Sequence, residues 1–113
     1  MKYSAKKINP ELRTSSEGEN LFTRIFKLIP PQKTSRLFAD VYLDPGAEID
    51  YHPHEGESEA YYILEGEGIY RDGDDIYPVS SGDVTVCLSG SSHGLKNTGD
   101  IPLRFIALIL KEE

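Results

Sequence analysis

Glycine and proline recur so often along this chain that no long helix fits between them. Ten glycines and seven prolines are spread through 113 residues. They fall at short, regular intervals and cut the chain into strand-length pieces. Phe22, Arg24, Phe26 and Leu28 alternate with Thr23, Ile25, Lys27 and Ile29 until Pro30-Pro31 ends the run. Arg36 to Leu43 is a second strand, rich in aromatic and β-branched residues and stopped by Asp44-Pro45-Gly46. Glu59 to Glu65 is a third, closing at Gly66 in the turn Glu65-Gly66-Glu67-Gly68. Ile69 to Arg71 and Ile76 to Val79 flank Asp72-Gly73, a pair that supplies the positive φ of a hairpin turn. Val84 to Leu88 and Leu103 to Leu110 complete the set. The pattern predicts an antiparallel all-β sandwich or barrel.

The first 20 residues are polar, and the barrel is expected over about residues 21–111 of a single domain spanning 1–113. Asn9 to Arg13 reads as one helical turn, and Ser15 to Asn20 as a loop. The last strand is unusual. Leu103, Phe105, Ala107 and Ile109 make one apolar face, and Ile106, Leu108 and Leu110 make most of the other. An antiparallel strand with one solvated face should alternate polar and apolar residues. Both faces are therefore expected to be covered, the outer one by a second subunit in a homodimer or by the N-terminal segment.

Charge narrows the partners. Nineteen acidic against twelve basic residues give a net charge of −7, the wrong sign for nucleic acid or an anionic membrane surface. No apolar run approaches the length of a membrane-spanning helix, and no hydrophobic stretch follows Met1 to Lys7. The single cysteine, Cys87, cannot form an internal disulfide, which fits a reducing cytoplasm. It lies in an apolar strand without a basic neighbour, so no activation as a nucleophile is expected.

Three histidines carry the chemistry. His52 and His54 stand at i and i+2 on an extended segment, so both imidazoles leave the same face. Glu59 follows a short glycine-containing loop, and His93 comes from a distant part of the chain. Three neutral imidazoles and a carboxylate suit Mn(II), Fe(II), Co(II), Ni(II) or Zn(II), and disfavour Ca²⁺, which takes oxygen donors. Four protein ligands on a six-coordinate ion leave two positions for water or a small molecule. Tyr61 and Ile63 share the strand parity of Glu59 and are expected to face inward, where they would line a ligand pocket or pack in the core. Glu55 and Glu57 flank the site as an alternative ligand, a general acid/base or a solvated loop. Arg71 and Arg104 are candidates for binding a carboxylate or for surface ion pairs, and Tyr51 and Tyr70 have no assigned place.

Gly46-x5-His52-x-His54-x4-Glu59-x6-Gly66 resembles the first signature motif of the cupin superfamily at every fixed position. With glycine at about 7% of residues, such a pattern arises by chance on the order of 10⁻⁷ times per starting position. Gly82-x5-Leu88-x-Gly90-x2-His93-x3-Asn97 resembles the second motif, except that Leu88 stands where the family usually has proline. The resemblance implies a double-stranded β-helix, the cupin jelly-roll barrel. It implies that His52, His54, Glu59 and His93 hold one divalent transition metal ion. Gly46, Gly66, Gly82 and Gly90 would mark turns, and Asn97 would be structural.

The same resemblance admits dioxygenase, oxalate-decarboxylase-like and isomerase chemistry on a carboxylate or enediol. It equally admits a binding or sensor module that holds a small ligand through its metal. Oxalate decarboxylases with two cupin domains resemble this chain in their ligands but are about twice as long and carry lid segments. Here only the 15 residues Glu67 to Ser81 separate Gly66 from Gly82, and a hairpin uses most of them. That difference leaves enzyme and binding module evenly weighted.

Overall fold

Among the described residues, ten strands pair antiparallel throughout, in two sheets that face each other across one core. The coordinates are a computed structural model that describes residues 1–112, the side chain of residue 19 apart, so the expected domain of 1–113 runs one residue beyond them. After a single 3-10 turn at Ala5–Lys7 come β1 (Glu11–Ser15), β2 (Gly18–Lys27), β3 (Ser35–Leu43), β4 (Glu48–Pro53) and β5 (Glu57–Glu65). Then follow β6 (Glu67–Asp72), β7 (Asp75–Ser80), β8 (Val84–Cys87), β9 (Ser92–Asn97) and β10 (Leu103–Lys111). The larger sheet has the order β1-β2-β3-β10-β5-β8 and the smaller one β4-β9-β6-β7. Among the described residues no helix is long and apolar enough to cross a membrane.

The expected strands are present with small shifts at their ends. Gly46, Gly66, Gly82 and Gly90 all sit at positive φ, between 85° and 95°, as turn residues must. The β6–β7 hairpin pairs Asp72 with Asp75, so its two loop residues are Gly73 and Asp74, one position later than Asp72-Gly73. Gly73 takes the positive φ, 60°. Gly68, expected in the turn after β5, is instead a buried residue inside β6.

Two expectations for the N-terminal region are corrected. Asn9 to Arg13 is not a helical turn, because Glu11 onward forms β1 and pairs with Ile25 to Phe22 of β2. Ser15 to Asn20 is not a loop, since β2 starts at Gly18 and only Ser16-Glu17 turn the chain. An open β2 edge offers backbone partners that local propensity does not register.

Alternation along β10 is as clean as a half-buried strand allows. Leu103, Phe105, Ala107 and Ile109 are at most 3% exposed and join Ile25, Val41, Leu43, Tyr61, Ile63 and Leu95 in the core. The outer face is apolar but partly open. Tyr62, Val84, Val86 and Leu110 are each about half exposed, and β1 lies edge-on beside β2 rather than over this face. The N-terminal segment is thus not its cover within one chain.

Candidate metal centre

Register arithmetic decides which way the first two histidines point. In the β4–β9 ladder Ile49 pairs with Leu95 and His52 with His93, so three steps along β4 match two along β9. That extra residue is a β-bulge. Ile49 faces the interior and lines the cavity between the sheets. Without the bulge, parity would send Tyr51 and Pro53 inward after it. With it, His52 and His54 turn inward instead. Gly94 makes room for the bulge, because a Cβ there would lie 3.1 Å from the Ile49 carbonyl oxygen and from Tyr51 N and Cα.

The four expected ligands come together. One donor atom from each of His52, His54, Glu59 and His93 lies within 4.8 Å of every other. His54, Glu59 and His93 are buried, and His52 is half-buried at the cavity side. Nε2 of His54 is 3.1 Å from Nε2 of His52, 3.1 Å from Nε2 of His93 and 3.0 Å from Oε1 of Glu59. Nε2 of His93 is 3.1 Å from the same carboxylate oxygen.

Hydrogen bonding alone does not account for this convergence. A ring nitrogen carries one hydrogen or one lone pair, and Nε2 of His54 meets three heteroatoms at once. The opposite ring nitrogens are already engaged. Nδ1–H of His52 donates to the Asp50 carbonyl oxygen at 2.7 Å, and Nδ1–H of His54 donates to Oε1 of Glu57 at 3.2 Å. Both partners only accept, which assigns those protons to Nδ1 and leaves the two Nε2 atoms as bare lone pairs in the neutral rings. Nδ1 of His93 is 2.8 Å from the Tyr70 hydroxyl, which can accept a third such bond. Burial lowers the pKa of His52, with the neighbouring His93 and His54 adding to the shift, so its ring is neutral near pH 7. Lone pairs and a carboxylate facing one another repel unless a cation sits among them. Donors at right angles about one ion, with bonds of about 2.1 Å, lie about 3.0 Å apart; four of the donor spacings here are 3.0–3.1 Å, and all lie within 4.8 Å. The residues fit a divalent transition metal ion.

The surroundings hold these ligands in place. Glu57 reaches Nδ1 of His54 while Arg36 grips both its oxygens at 2.8 Å. The Arg36 guanidinium, with His54 adding to it, pulls the Glu57 carboxyl down to about 2. Tyr61 stacks on His93 with ring centroids 5.0 Å apart. Burial, reinforced by the Glu59 carboxylate, pushes its phenol well above the ordinary value and keeps it protonated.

The other singled-out residues divide. Tyr61 lines the cavity, whereas Ile63 is fully buried in the core and is not one of its walls. Glu55 is exposed. Cys87 is buried, and burial raises its thiol pKa. Arg71 lies over the Tyr51 ring, 3.9 Å from its centroid, and Arg104 pairs with both oxygens of Asp40. Neither lines the cavity. Nδ2 of Asn97 donates to the carbonyls of Leu43 and Ile101, and its Oδ1 accepts from the Gly99 amide, a structural role throughout. Leu88, in the proline position, is exposed beside the Gly90 turn. Sequence reasoning missed the support that Tyr70 gives His93, that Asp50 gives His52, and the cavity wall built by β1.

The cavity has a volume of about 570 Å³, and His52 is one of its lining residues. Glu59, Tyr61 and the histidines His52 and His54 are among its polar lining, together with Glu11, Arg13, Thr14 and Lys27 from β1 and β2.

Comparison with known proteins agrees with this fold. A family model described as the cupin domain matches residues 39–109. A relative described as an oxalate-binding protein, from Thermotoga maritima, is 47% identical over 76 residues, covering 67% of this chain and 63% of that protein. An uncharacterized protein of Methanocaldococcus jannaschii is 29% identical over 68 residues, and the match spans 54% of its length. This chain therefore spans only about three-fifths of the curated relatives it matches. A solved structure from Thermotoga maritima, described as a predicted oxalate decarboxylase, superposes with a TM-score of 0.87 at 37% identity. That match covers 98% of this chain and 99% of the other. The cupin domain of Schizosaccharomyces pombe Cnp3 shares the fold, with a TM-score of 0.81 at 16% identity over 99% of this chain and 74% of that one. From its paired motifs, its double-sheet fold and the matching family model, this chain belongs to the cupin family.

Proposed function

We propose that this protein binds one divalent transition metal ion through His52, His54, Glu59 and His93 and uses it to hold a small carboxylate ligand. The observation that carries this reading is the convergence of three imidazole Nε2 atoms and one carboxylate oxygen, with the opposite ring nitrogens tied elsewhere. The donor set takes Mn(II), Fe(II), Co(II), Ni(II) or Zn(II). The ion, when bound, supplies a Lewis-acidic anchor for carboxylate or enediol oxygens. The relatives named for oxalate binding and oxalate decarboxylation support a small carboxylate as the ligand.

Holding the ligand is favoured over turning it over. General acid/base work at neutral pH is most efficient with a group whose pKa lies near 7. Glu57 stays ionised beside Arg36, and the buried Tyr61 stays protonated. A catalytic reading would rest on Tyr61, whose hydroxyl stands beside Glu59 at the ligand end of the cavity.

Elemental analysis of untagged protein purified without chelator tests the first step, with about one ion per chain expected. Calorimetric titration of the metal-loaded protein with oxalate tests the second. No metal uptake on titration overturns the metal reading, and metal uptake without oxalate binding overturns the carboxylate reading.

We also propose that two copies pair through the outer face of the larger sheet, as a cytoplasmic homodimer. Across that face Phe38, Leu108, Ala60 and Val86 form one register row, and Ile106, Tyr62 and Val84 the next. Such a contiguous apolar patch is typical of an interface between proteins.

A further inference from the structure

The cavity is much larger than the ligand its relatives are named for. A two-carbon dicarboxylate displaces about the volume of three waters, roughly 90 Å³ at liquid density, against about 570 Å³ available. A cavity of this size is typical of sites that enclose a drug-sized molecule.

Its lining changes character along its length. In the larger sheet the row through Glu59 continues into Ile109 and then Leu37. The row through Tyr61 continues into Ala107, whose small side chain leaves space beside the ring. Val41 and Ile25 pair in the row beyond. All of these residues line the cavity. One oxygen-binding end thus opens onto a wall of aliphatic side chains. Of the charged groups in the lining, Glu11 pairs with both Arg13 and Lys27, Arg36 pairs with Glu57, and Asp50 accepts a hydrogen bond from Ser16.

We infer that the ligand is amphipathic, with a chelating carboxylate head of the 2-oxo or 2-hydroxy acid type and an apolar body several carbons long. The head occupies the metal end, and the body lies along Ile109, Leu37, Val41 and Ile25. The inference rests on the metal-anchored carboxylate reading above and names the class of molecule that fills the remaining space. Apolar burial supplies the discrimination. Each methylene moved from water onto such a wall strengthens binding by about three- to fourfold.

The test is a chain-length series on the full-length protein loaded with one Co(II) per chain. Oxalate, pyruvate, 2-oxohexanoate and 2-oxooctanoate are titrated in turn, followed by calorimetry and by the visible spectrum of the ion. Affinity is expected to rise from pyruvate to 2-oxooctanoate by a factor of ten or more, with the spectrum changing alike for each. Leu37→Asn is expected to reduce the ratio of 2-oxooctanoate to pyruvate affinity by at least fivefold. Ile109→Thr provides a second reading of the same ratio if the first variant does not fold. Equal affinities along the wild-type series, or oxalate binding more tightly than 2-oxooctanoate, overturn the amphipathic ligand and leave the metal-anchored carboxylate reading standing. Metal uptake with no binding of any of the four acids overturns both.

Discussion

The hydroxyl of Tyr70 lies 2.8 Å from Nδ1 of His93, and both side chains are fully buried. The contact belongs to the site rather than to the core alone. It occupies the ring nitrogen opposite the one that faces His54 and Glu59, and so orients the imidazole and sets its tautomer. Tyr70→Phe keeps the ring and its packing but strands a buried Nδ1. Metal affinity, read by competition with a chromophoric chelator, is expected to fall about 10- to 100-fold. The metal-free protein is expected to lose about 1–3 kcal/mol in denaturant unfolding. Unchanged affinity would mean that Tyr70 only fills space.

That contact also marks the limit of what the sequence discloses. The ligands were legible because their spacing is local: His52, His54 and Glu59 lie within eight residues, and the second motif places His93 by its distance from Gly82 and Gly90. The turn glycines were legible because positive φ leaves few other choices. Tyr70 was not legible, since the facing of β6 depends on its register with β9 and β7, which no local pattern encodes. The β1 strand was hidden for a related reason. Asn9-Pro10-Glu11 carries weak helical cues, and pairing with β2 overrides them. Ile63 shares parity with Glu59 and Tyr61, yet parity fixes a face and not a depth. It lies past the end of the cavity, in the core.

Acidification acts on the site through His52 and Glu57. Burial lowers the pKa of His52, so the metal-free fold is destabilised as pH drops below about 6.5, where the unfolded chain takes up the proton first. The Glu57 carboxyl is held at about 2 by Arg36. Its contribution is therefore complete above the unfolded value of about 4.3 and is lost as pH falls toward 2. Metal ligands must be deprotonated, so the bound ion is expected to leave between about pH 6 and pH 4. Dialysis against a pH series with elemental analysis reads this, and retention of the ion well below pH 4 contradicts a histidine-rich site. In Glu57→Gln the thermal-melt dependence between pH 4.3 and 2 is expected to flatten.

The outer face of the larger sheet makes a separate prediction. Sedimentation at micromolar concentration is expected to give a mass near twice 12.6 kDa. Val84 and Val86 are 61% and 51% exposed on the edge strand β8. Changing both to aspartate is expected to give a folded monomer, because charges placed there disturb little within one chain but meet each other across a two-fold interface. A monomeric wild-type protein would refute the pairing.

Gly94 is the residue on which the inward turn of the histidines depends most directly. It is buried in β9 beside His93, opposite the extra residue of β4. Its backbone angle is not the reason for glycine, since φ there is not positive; the reason is space. A methyl group would meet the Ile49 carbonyl oxygen and the Tyr51 backbone at 3.1 Å, so the bulge would have to move by a few tenths of an ångström. That movement is small for folding but large for a site in which His54 and His93 meet their neighbouring donors at 3.0–3.1 Å. Gly94→Ala is expected to unfold at a temperature no more than several degrees lower, while its metal affinity falls tenfold or more. Gly82→Ala is the comparison, because Gly82 has φ of 95° with nothing within 4 Å of an added methyl and lies far along the chain from the bulge. It is expected to lose about 1–2 kcal/mol of stability through left-handed strain and to bind the ion as the wild type does. The two substitutions separate a cost to the fold from a cost to the site. Equal losses of metal affinity in both would place the control of histidine geometry elsewhere than in the bulge.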